Sequence, residues 1–285
     1  MSNTMEEKVQ QLISTYGQND QRTDAWHLKR GSMLTASEIW KAMKDASPSA
    51  RYELIMSKLT PRKEAEGIGA RALIWGTRFE PIAKEIYSKI EQGVKIVDTT
   101  CVPHPSVPFL GASPDGILIT KDPNDPRYGK LVEFKCPISR IFSNETPIPT
   151  SYYHQMQLQM ECTGLNECDY IEMGFKDVNY SAWIDSTAEY KSFFAVYDNG
   201  SVKYKLIDDH RSVADWRKQE LADDGDSWTI VYWYLNQYRI KHVSHESTWL
   251  SDNIADFTAV WDEITQHREA GTFPTNPKTK SILTV

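Results

Sequence analysis

Three charged residues near the middle of the chain have types and spacing that suit cation chemistry. Asp115 lies in Ser-Pro-Asp-Gly, and Glu133 and Lys135 lie in Leu-Val-Glu-Phe-Lys-Cys-Pro. Ile117 and Ile119 after the first segment, and Leu131 and Phe134 in the second, favour strands. Residues two apart on a strand share a face, so Glu133 and Lys135 point the same way. Two carboxylates beside an ammonium group suit Mg²⁺ and a water that the amine holds or activates.

Each half of this cluster has a simpler interpretation when taken alone. The segment 113–116 is an ordinary turn sequence. Glu133 and Lys135 can form a weak ion pair on a solvated strand face. The second segment is otherwise apolar, however, and unpaired charges in an apolar strand are costly. The combination therefore favours a cation-binding cluster.

A second group of polar residues lies about 80 positions earlier and could hold an anion. Thr35 and Glu38 have capping-box spacing, which predicts a helix from Thr35 to about Asp45. The start of a helix attracts phosphate. Arg30 just upstream and Ser37 in the first turn can reach the same anion. A plain helix start with an exposed arginine is the alternative.

A third carboxylate, Glu80, lies in the first turn of a strongly patterned predicted helix. Because proline fits in the first turn of a helix, Pro81 predicts that this helix begins near Thr77. Glu80 then has two interpretations. It either closes a capping box with Thr77 or faces the same site as Asp115.

A further helix is predicted after the central strands, at Tyr152–Gly164. It carries Gln155, Gln157 and Gln159 in alternation with apolar residues. Its polar side is therefore narrow, and one of these glutamines can bond a phosphate oxygen or an attacking water.

The order of predicted elements indicates the fold class. Helices come first, then a strand–loop–strand, a crossover helix and another strand. Asn199-Gly200 predicts a late hairpin, followed by a strand at Trp228–Val243 and a core-facing helix at Ser251–Glu269. We predict an α/β fold with a mixed central β-sheet flanked by helices and an elaborated C-terminal strand-and-helix region.

Composition limits the class of protein. The chain has 285 residues and a net charge of −7, which argues against a protein that coats DNA generally but allows a confined basic channel. The four cysteines form no Cys-x₂-Cys pair, which gives zinc or iron–sulfur binding weak support. No apolar run approaches the roughly 20 residues of a membrane span, and the N-terminus does not follow the order of a signal peptide. We expect free thiols and a cytoplasmic protein that does not contact membranes.

Five segments together resemble the phage lambda exonuclease-like group, the YqaJ-type viral recombinases of the PD-(D/E)xK nuclease superfamily. They occur in the family's order at residues 25–38, 73–87, 113–116, 131–137 and 152–160. The resemblance implies a single nuclease domain over 1–285. Its motif-bearing core would span about 24–180, followed by a C-terminal extension at about 181–271 and a flexible tail at 272–285.

The resemblance also implies roles for individual residues. Asp115 and Glu133 would bind Mg²⁺, for which Mn²⁺ would substitute, with the main-chain carbonyl of Phe134 as a further ligand. Lys135 would orient or deprotonate the attacking water. The remaining roles are to support the metal shell (Glu80), to contact the water or scissile phosphate (Gln157), to grip a 5′-phosphate (Arg30, Ser37 and Ser113) and to wedge apart the terminal base pair (Leu73).

An activity and partners follow from the same resemblance. The family digests duplex DNA from 5′ ends in the 5′→3′ direction as a ring-shaped trimer, and leaves a 3′ single strand for an annealing protein. Two alternatives stay open from the residues: an endonuclease of restriction or junction-resolving type, and a non-catalytic module that binds DNA ends. The phosphate-gripping residues favour the exonuclease, because internal cutting needs no terminal phosphate site.

Overall fold

The computed structural model describes residues 4–18, 21–61, 67–221 and 227–278. These residues form eight α-helices and ten β-strands. The helices are α1 (Met5–Tyr16), α2 (Asp24–Gly31), α3 (Pro48–Leu59), α4 (Gly67–Ile90), α5 (Thr150–Thr163), α6 (Tyr180–Asp185), α7 (Val213–Glu220) and α8 (Trp249–Ala270). The strands are β1 (Leu34–Thr35), β2 (Val94–Val97), β3 (Val102–Pro103), β4 (Leu110–Ala112), β5 (Gly116–Thr120), β6 (Leu131–Lys135), β7 (Glu167–Val178), β8 (Lys191–Tyr197), β9 (Val202–Tyr204) and β10 (Trp228–Ser244).

A seven-stranded mixed sheet crosses the molecule in the order β2-β5-β6-β7-β10-β8-β9. β6 and β7 are parallel, and the other neighbours in this order are antiparallel. A parallel pair needs a crossover, and helix α5 supplies it. A small second sheet, β1-β4-β3, lies beside the first. The predicted α/β class with a mixed sheet flanked by helices is confirmed.

The two faces of β6 serve different layers of the core. Leu131 packs in the cluster that includes Met156 and Leu158 of α5. Val132 and Phe134 pack in the cluster that contains the apolar side of α4. Because strand side chains alternate, Glu133 and Lys135 share the α5 side with Leu131. The helix above them therefore determines their surroundings.

The predicted helix from Thr35 to Asp45 is wrong. Only a four-residue 3₁₀ helix, Ile39–Ala42, follows the capping-box spacing. Glu38 Oε1 does accept bonds from the Thr35 backbone N–H and hydroxyl, both at 2.9 Å. Lys58 also contacts that carboxylate at 2.5 Å, so Glu38 ties this turn to α3 rather than starting a long helix.

The predicted start of the helix near Thr77 is also wrong. α4 begins at Gly67 and carries Pro81 inside it. Proline removes one backbone hydrogen bond from a helix interior, but Phe79, Ile82 and Ile86 are buried around it. Packing on both sides of the proline outweighs the local cost.

The C-terminal third follows the sequence pattern. β8 and β9 form the hairpin predicted at Asn199-Gly200, and β10 and α8 lie where a strand and a core-facing helix were expected. Part of the expected tail, residues 279–285, lies outside the described residues.

Two further findings concern the cysteines and membrane-spanning helices. All four cysteines are buried thiols that form no disulfide, as expected. No helix in the described ranges is long and apolar enough to cross a membrane.

A buried ion pair joins the two central strands. Arg239 on β10 faces Glu172 on β7 in register, and its Nε and Nη2 donate to Glu172 Oε2 at 2.8 and 2.6 Å. Arg140 also donates to Glu172, from the loop after β6. Arg239 Nη1 reaches the Ser143 carbonyl at 2.8 Å, so the pair also anchors that loop.

We expect Arg239→Ala to lower the free energy of unfolding by about 1.5–3 kcal/mol, because Glu172 loses two charge-assisted bonds but keeps those of Arg140 and Tyr170. Urea unfolding measures the loss. Arg51→Ala is the control: Arg51 pairs with Glu263 at the surface, and such pairs contribute about 0–1 kcal/mol. Equal losses in the two variants would contradict the assignment.

Candidate active site

Glu133 is the deepest charged group of the cluster, and its carboxylate accepts hydrogen bonds from three polar side chains. It is 1% exposed. Lys135 donates to Oε1, and Gln155 Nε2 donates to the same oxygen at 2.7 Å. Gln159 Nε2 donates to Oε2 at 2.6 Å. These donors replace the water that the carboxylate gave up on burial.

Asp115 lies beside Glu133, at the start of β5. Its Oδ2 accepts the Phe134 backbone N–H at 2.7 Å, which ties the turn to β6. The carbonyl of Pro114, one residue earlier, accepts bonds from Thr99 Oγ1 at 2.9 Å and Gln21 Nε2 at 3.1 Å. The turn is therefore fixed from both sides, and the aspartate is held against the strand that carries Glu133.

The acids in the site repel one another. Burial, together with the Glu133 and Glu80 carboxylates, raises the pKa of Asp115 well above its ordinary value. Burial alone would lower the pKa of Lys135, but Glu133 and Asp115 outweigh it and raise that pKa. Lys135 is therefore an ammonium group at neutral pH in this structure, and its charge offsets only part of the negative charge around it.

Glu80 faces this site from α4, as one of its two interpretations required. Arg22 contacts its Oε2 at 2.6 Å and Lys84 its Oε1 at 3.2 Å. Burial would raise the pKa of Glu80, but Lys84 and Arg22 outweigh it and lower that pKa. Glu80 is thus an ionised third carboxylate, balanced by cations that are not part of the central cluster.

The expectation for Gln157 is corrected by the structure. Its Nε2 donates to the Ser244 carbonyl and its Oε1 accepts the Glu246 N–H, both at 2.9 Å, so it secures the segment after β10. Gln155, two residues earlier, faces Lys135 and Glu133 instead, with Lys135 Nζ at 3.3 Å from Gln155 Oε1. Successive residues of a helix turn by about 100°, so two positions apart point to nearly opposite sides.

The residues expected to grip a 5′-phosphate come together around Arg30. Nη2 donates to Ser37 Oγ at 2.7 Å and to Thr35 Oγ1 at 3.1 Å, and Nη1 lies 3.3 Å from Ser113 Oγ. Each serine hydroxyl accepts here and still has a proton to donate. A guanidinium with convergent hydroxyls suits a phosphate group.

Two members of this cluster were missed in the sequence. Trp26 stacks under Arg30, 4.3 Å from ring centroid to guanidinium carbon, and its Nε1 donates to Ser113 Oγ at 3.1 Å. Thr35, the other, appeared only as a helix cap. Trp26 and Arg30 lie four apart on α2, whose N-cap Thr23 was a readable start signal.

The arginine cluster and the acidic cluster adjoin. Burial lowers the pKa of Arg30, and the Glu133 carboxylate is one of the charges that oppose this shift. Ser113 is two residues from Asp115 in the same fixed turn. A phosphate held at Arg30 therefore lies next to the acids.

A groove of about 470 Å³ opens over Lys135. α4 supplies one wall with Leu73 and Glu80, and the segment after β6 supplies the other with Ile138 and Arg140. Leu73 is 57% exposed, which is unusual for leucine on a patterned helix and leaves it available for contact. The Tyr152 ring lies at the groove beneath Lys135, 4.5 Å from Nζ to its centroid.

The donor set fits a hard divalent cation bound together with substrate. Among the described ranges no three His, Cys, Asp or Glu side chains are arranged to hold an ion by themselves. Mg²⁺ in proteins is commonly bound by one or two carboxylates, with water and substrate phosphate oxygens completing the shell. Asp115 and Glu133 provide that pair, and their mutual repulsion is what a cation would relieve.

Comparisons with solved structures support the fold. The crystal structure of an alkaline exonuclease, LHK-Exo from Laribacter hongkongensis, has a TM-score of 0.52 at 23% identity, covering 87% of this chain and 95% of that one. The same exonuclease in complex with dAMP gives 0.51 at 23% identity with the same coverage. The central sheet and its helices thus share the fold of this exonuclease.

Sequence comparisons identify the family. An uncharacterized protein of Acanthamoeba polyphaga mimivirus is 26% identical over 182 residues, which cover 61% of this chain. The match spans only 32% of that relative's length. Residues 25–166 match the YqaJ-like viral recombinase domain. Through this segment, which carries both the acidic cluster and the Arg30 pocket, the chain belongs to the YqaJ-like viral recombinase family.

Proposed function

We propose that this protein is a metal-dependent exonuclease that digests one strand of linear duplex DNA from a 5′-phosphorylated end. The adjacency of the Arg30 pocket to Asp115, Glu133 and Lys135 carries the proposal. A site that grips a terminal phosphate next to a hydrolytic cluster selects chain ends by positioning. The bound dAMP in LHK-Exo, a nucleoside monophosphate, is in keeping with that chemistry.

The chain's own groups divide the work of hydrolysis. Asp115 and Glu133 would hold Mg²⁺, or Mn²⁺ in its place, with the Phe134 carbonyl as a further ligand and Glu80 supporting the shell. When bound, the metal neutralises charge on the phosphate oxygens and lowers the pKa of a coordinated water. Lys135 holds the attacking water and stabilises charge on the phosphate. Gln155, rather than Gln157, fixes the Lys135 ammonium through its carbonyl oxygen.

The polarity follows from the order of the sites. Arg30, Ser37 and Ser113 hold the 5′-phosphate while Leu73 separates the terminal base pair. The digested strand recedes 5′→3′ and a 3′ single strand remains, the substrate of an annealing protein in recombination. We extend the proposal to a ring-shaped trimer. Size-exclusion chromatography with light scattering measures the mass of the assembly directly.

A gel assay tests the central claim. A linear duplex labelled on one strand should shorten from its 5′ end with Mg²⁺ and stay intact in EDTA. A covalently closed plasmid should survive. Rapid linearisation of that plasmid would instead identify an endonuclease.

Lys135→Ala should lower the rate of digestion by at least about 100-fold, because a charge that stabilises the transition state is lost. Binding of DNA ends, measured by fluorescence anisotropy, should change little. Lys176→Ala is the matched control, since Lys176 is a solvent-facing lysine on β7. Unchanged digestion by Lys135→Ala would remove this lysine from the mechanism.

Arg30→Ala should abolish the preference for 5′-phosphorylated over 5′-hydroxyl ends. The loss of a charge-assisted bond to phosphate, about 1.5–3 kcal/mol, corresponds to roughly a 10- to 100-fold fall in that preference. Single-turnover rates on the two duplexes measure it, with Arg51→Ala as the control. A wild-type protein that digests both ends at the same rate would refute the pocket.

Asp115→Asn should stabilise the metal-free protein at pH 8 while it abolishes digestion. The raised pKa of Asp115 means that the folded state holds a proton longer than the unfolded state as pH rises. Stability is therefore lost as pH rises above the ordinary aspartate pKa, and asparagine, which does not ionise, avoids that loss.

Thermal unfolding in EDTA checks this prediction at two pH values. The gain in Asp115→Asn should shrink at pH 4, where the wild-type aspartate is protonated. Added Mn²⁺ should stabilise the wild type more than the variant. A variant less stable than the wild type at pH 8 would contradict the prediction.

A further inference from the structure

One buried amide of the site uses only one of its four hydrogen-bonding positions among the described residues. Gln159 is fully buried on α5. Its Nε2 donates to Glu133 Oε2 at 2.6 Å. Its Oε1 is buried as well and has no hydrogen-bond partner among the described residues. Buried polar atoms in folded proteins are nearly always paired, so the unpaired oxygen calls for an explanation.

The explanation lies in what the nitrogen contacts. Turning the amide over would bring Oε1 against the carboxylate, and two acceptors would then face each other. The Glu133 carboxylate therefore dictates the orientation of Gln159. Oε1 is left unpaired because the NH₂ group is directed at Glu133. A smaller apolar side chain at this position would leave no unpaired oxygen.

The contacts of Glu133 differ between its two oxygens. Oε1 receives both Lys135 and Gln155, which use its two lone-pair positions. Within the part of the chain that the structure describes, Oε2 receives only Gln159, which leaves one of its lone-pair positions free. The oxygen with free capacity is thus the one whose direction Gln159 sets.

We propose that Gln159 is a positioning residue that fixes the plane of the Glu133 carboxylate and presents Oε2 to the divalent cation. This inference rests on the proposed metal-dependent function. Gln155 and Gln159 lie four apart, on the same side of α5, and grip the two oxygens of one carboxylate from above. The carboxylate cannot rotate without breaking one of these bonds.

Gln159→Met tests the role, because methionine fills a similar space without an N–H donor. Partners that orient a metal ligand typically contribute about 10- to 100-fold to metal affinity. We expect Mn²⁺ binding to the DNA-free protein, measured by electron paramagnetic resonance, to weaken by about that factor. Digestion should need more Mn²⁺ for half-maximal rate, while KM for DNA ends stays at the wild-type value.

Gln157→Met is the matched control on the same helix. Gln157 is equally buried but bonds the backbone after β10. Its loss should lower the thermal midpoint and leave Mn²⁺ affinity unchanged. Gln159→Asn, whose shorter amide cannot reach Glu133 in the same geometry, carries the same test should Gln159→Met not fold.

The outcomes separate this inference from the proposed function. A wild type that binds Mn²⁺ and digests DNA, with Gln159→Met and Gln159→Asn at wild-type Mn²⁺ affinity, overturns the role of Gln159 alone. A wild type that neither binds Mn²⁺ nor digests DNA overturns both. Weaker Mn²⁺ binding in the Gln159 variants with normal binding in Gln157→Met establishes the inference.

Discussion

A carboxylate buried in the core must be matched by donors that the chain itself provides, and the arrangement around Glu133 follows from that requirement. β6 places Glu133 under α5, where it is almost fully buried. The parallel pairing of β6 with β7 requires a crossover, and α5 is that crossover. The helix required by topology thus also supplies the amide groups of Gln155 and Gln159. The same connection that completes the sheet supplies hydrogen-bond donors to an acid in its interior.

One turn, residues 113–115, connects the Arg30 cluster to the acidic cluster. Ser113 faces Arg30, while Asp115, two residues later, faces β6. The turn between them is held through the Pro114 carbonyl by Thr99. Under the proposed function, a chain end at Arg30 and the acid Asp115 would keep a fixed separation, because the turn between them is held by hydrogen bonds on both sides. Selectivity for ends and hydrolysis would then depend on the same few backbone atoms.

Much of the sheet and the identity of the acidic cluster could be predicted from the sequence, because alternation along a strand determines which residues share a face. Helix faces were harder. The alternation of glutamines in α5 shows that one of them reaches the site, but without knowing which side packs on the sheet, Gln157 cannot be told from Gln155. Thr35 and Glu38 do form the hydrogen bonds that their spacing predicts. The Glu38 carboxylate also pairs with Lys58 of α3, however, and no long helix follows. Pro81 predicted a helix start because proline is costly in a helix interior. The tertiary packing of α4 on both sides of Pro81 outweighs that cost. Contacts between residues far apart in sequence explain all three errors.

β10 has a consequence for the order in which the sheet is assembled. It pairs with β7 along one edge and with β8 along the other, so it is a central strand that comes late in the chain. During synthesis β7 and β8 are made first and have open edges until residues 228–244 leave the ribosome. Open edges are where chains join to one another wrongly. Slow translation of the segment between β9 and β10 would therefore prolong the most aggregation-prone stage of biogenesis, long after the acidic cluster has been synthesised.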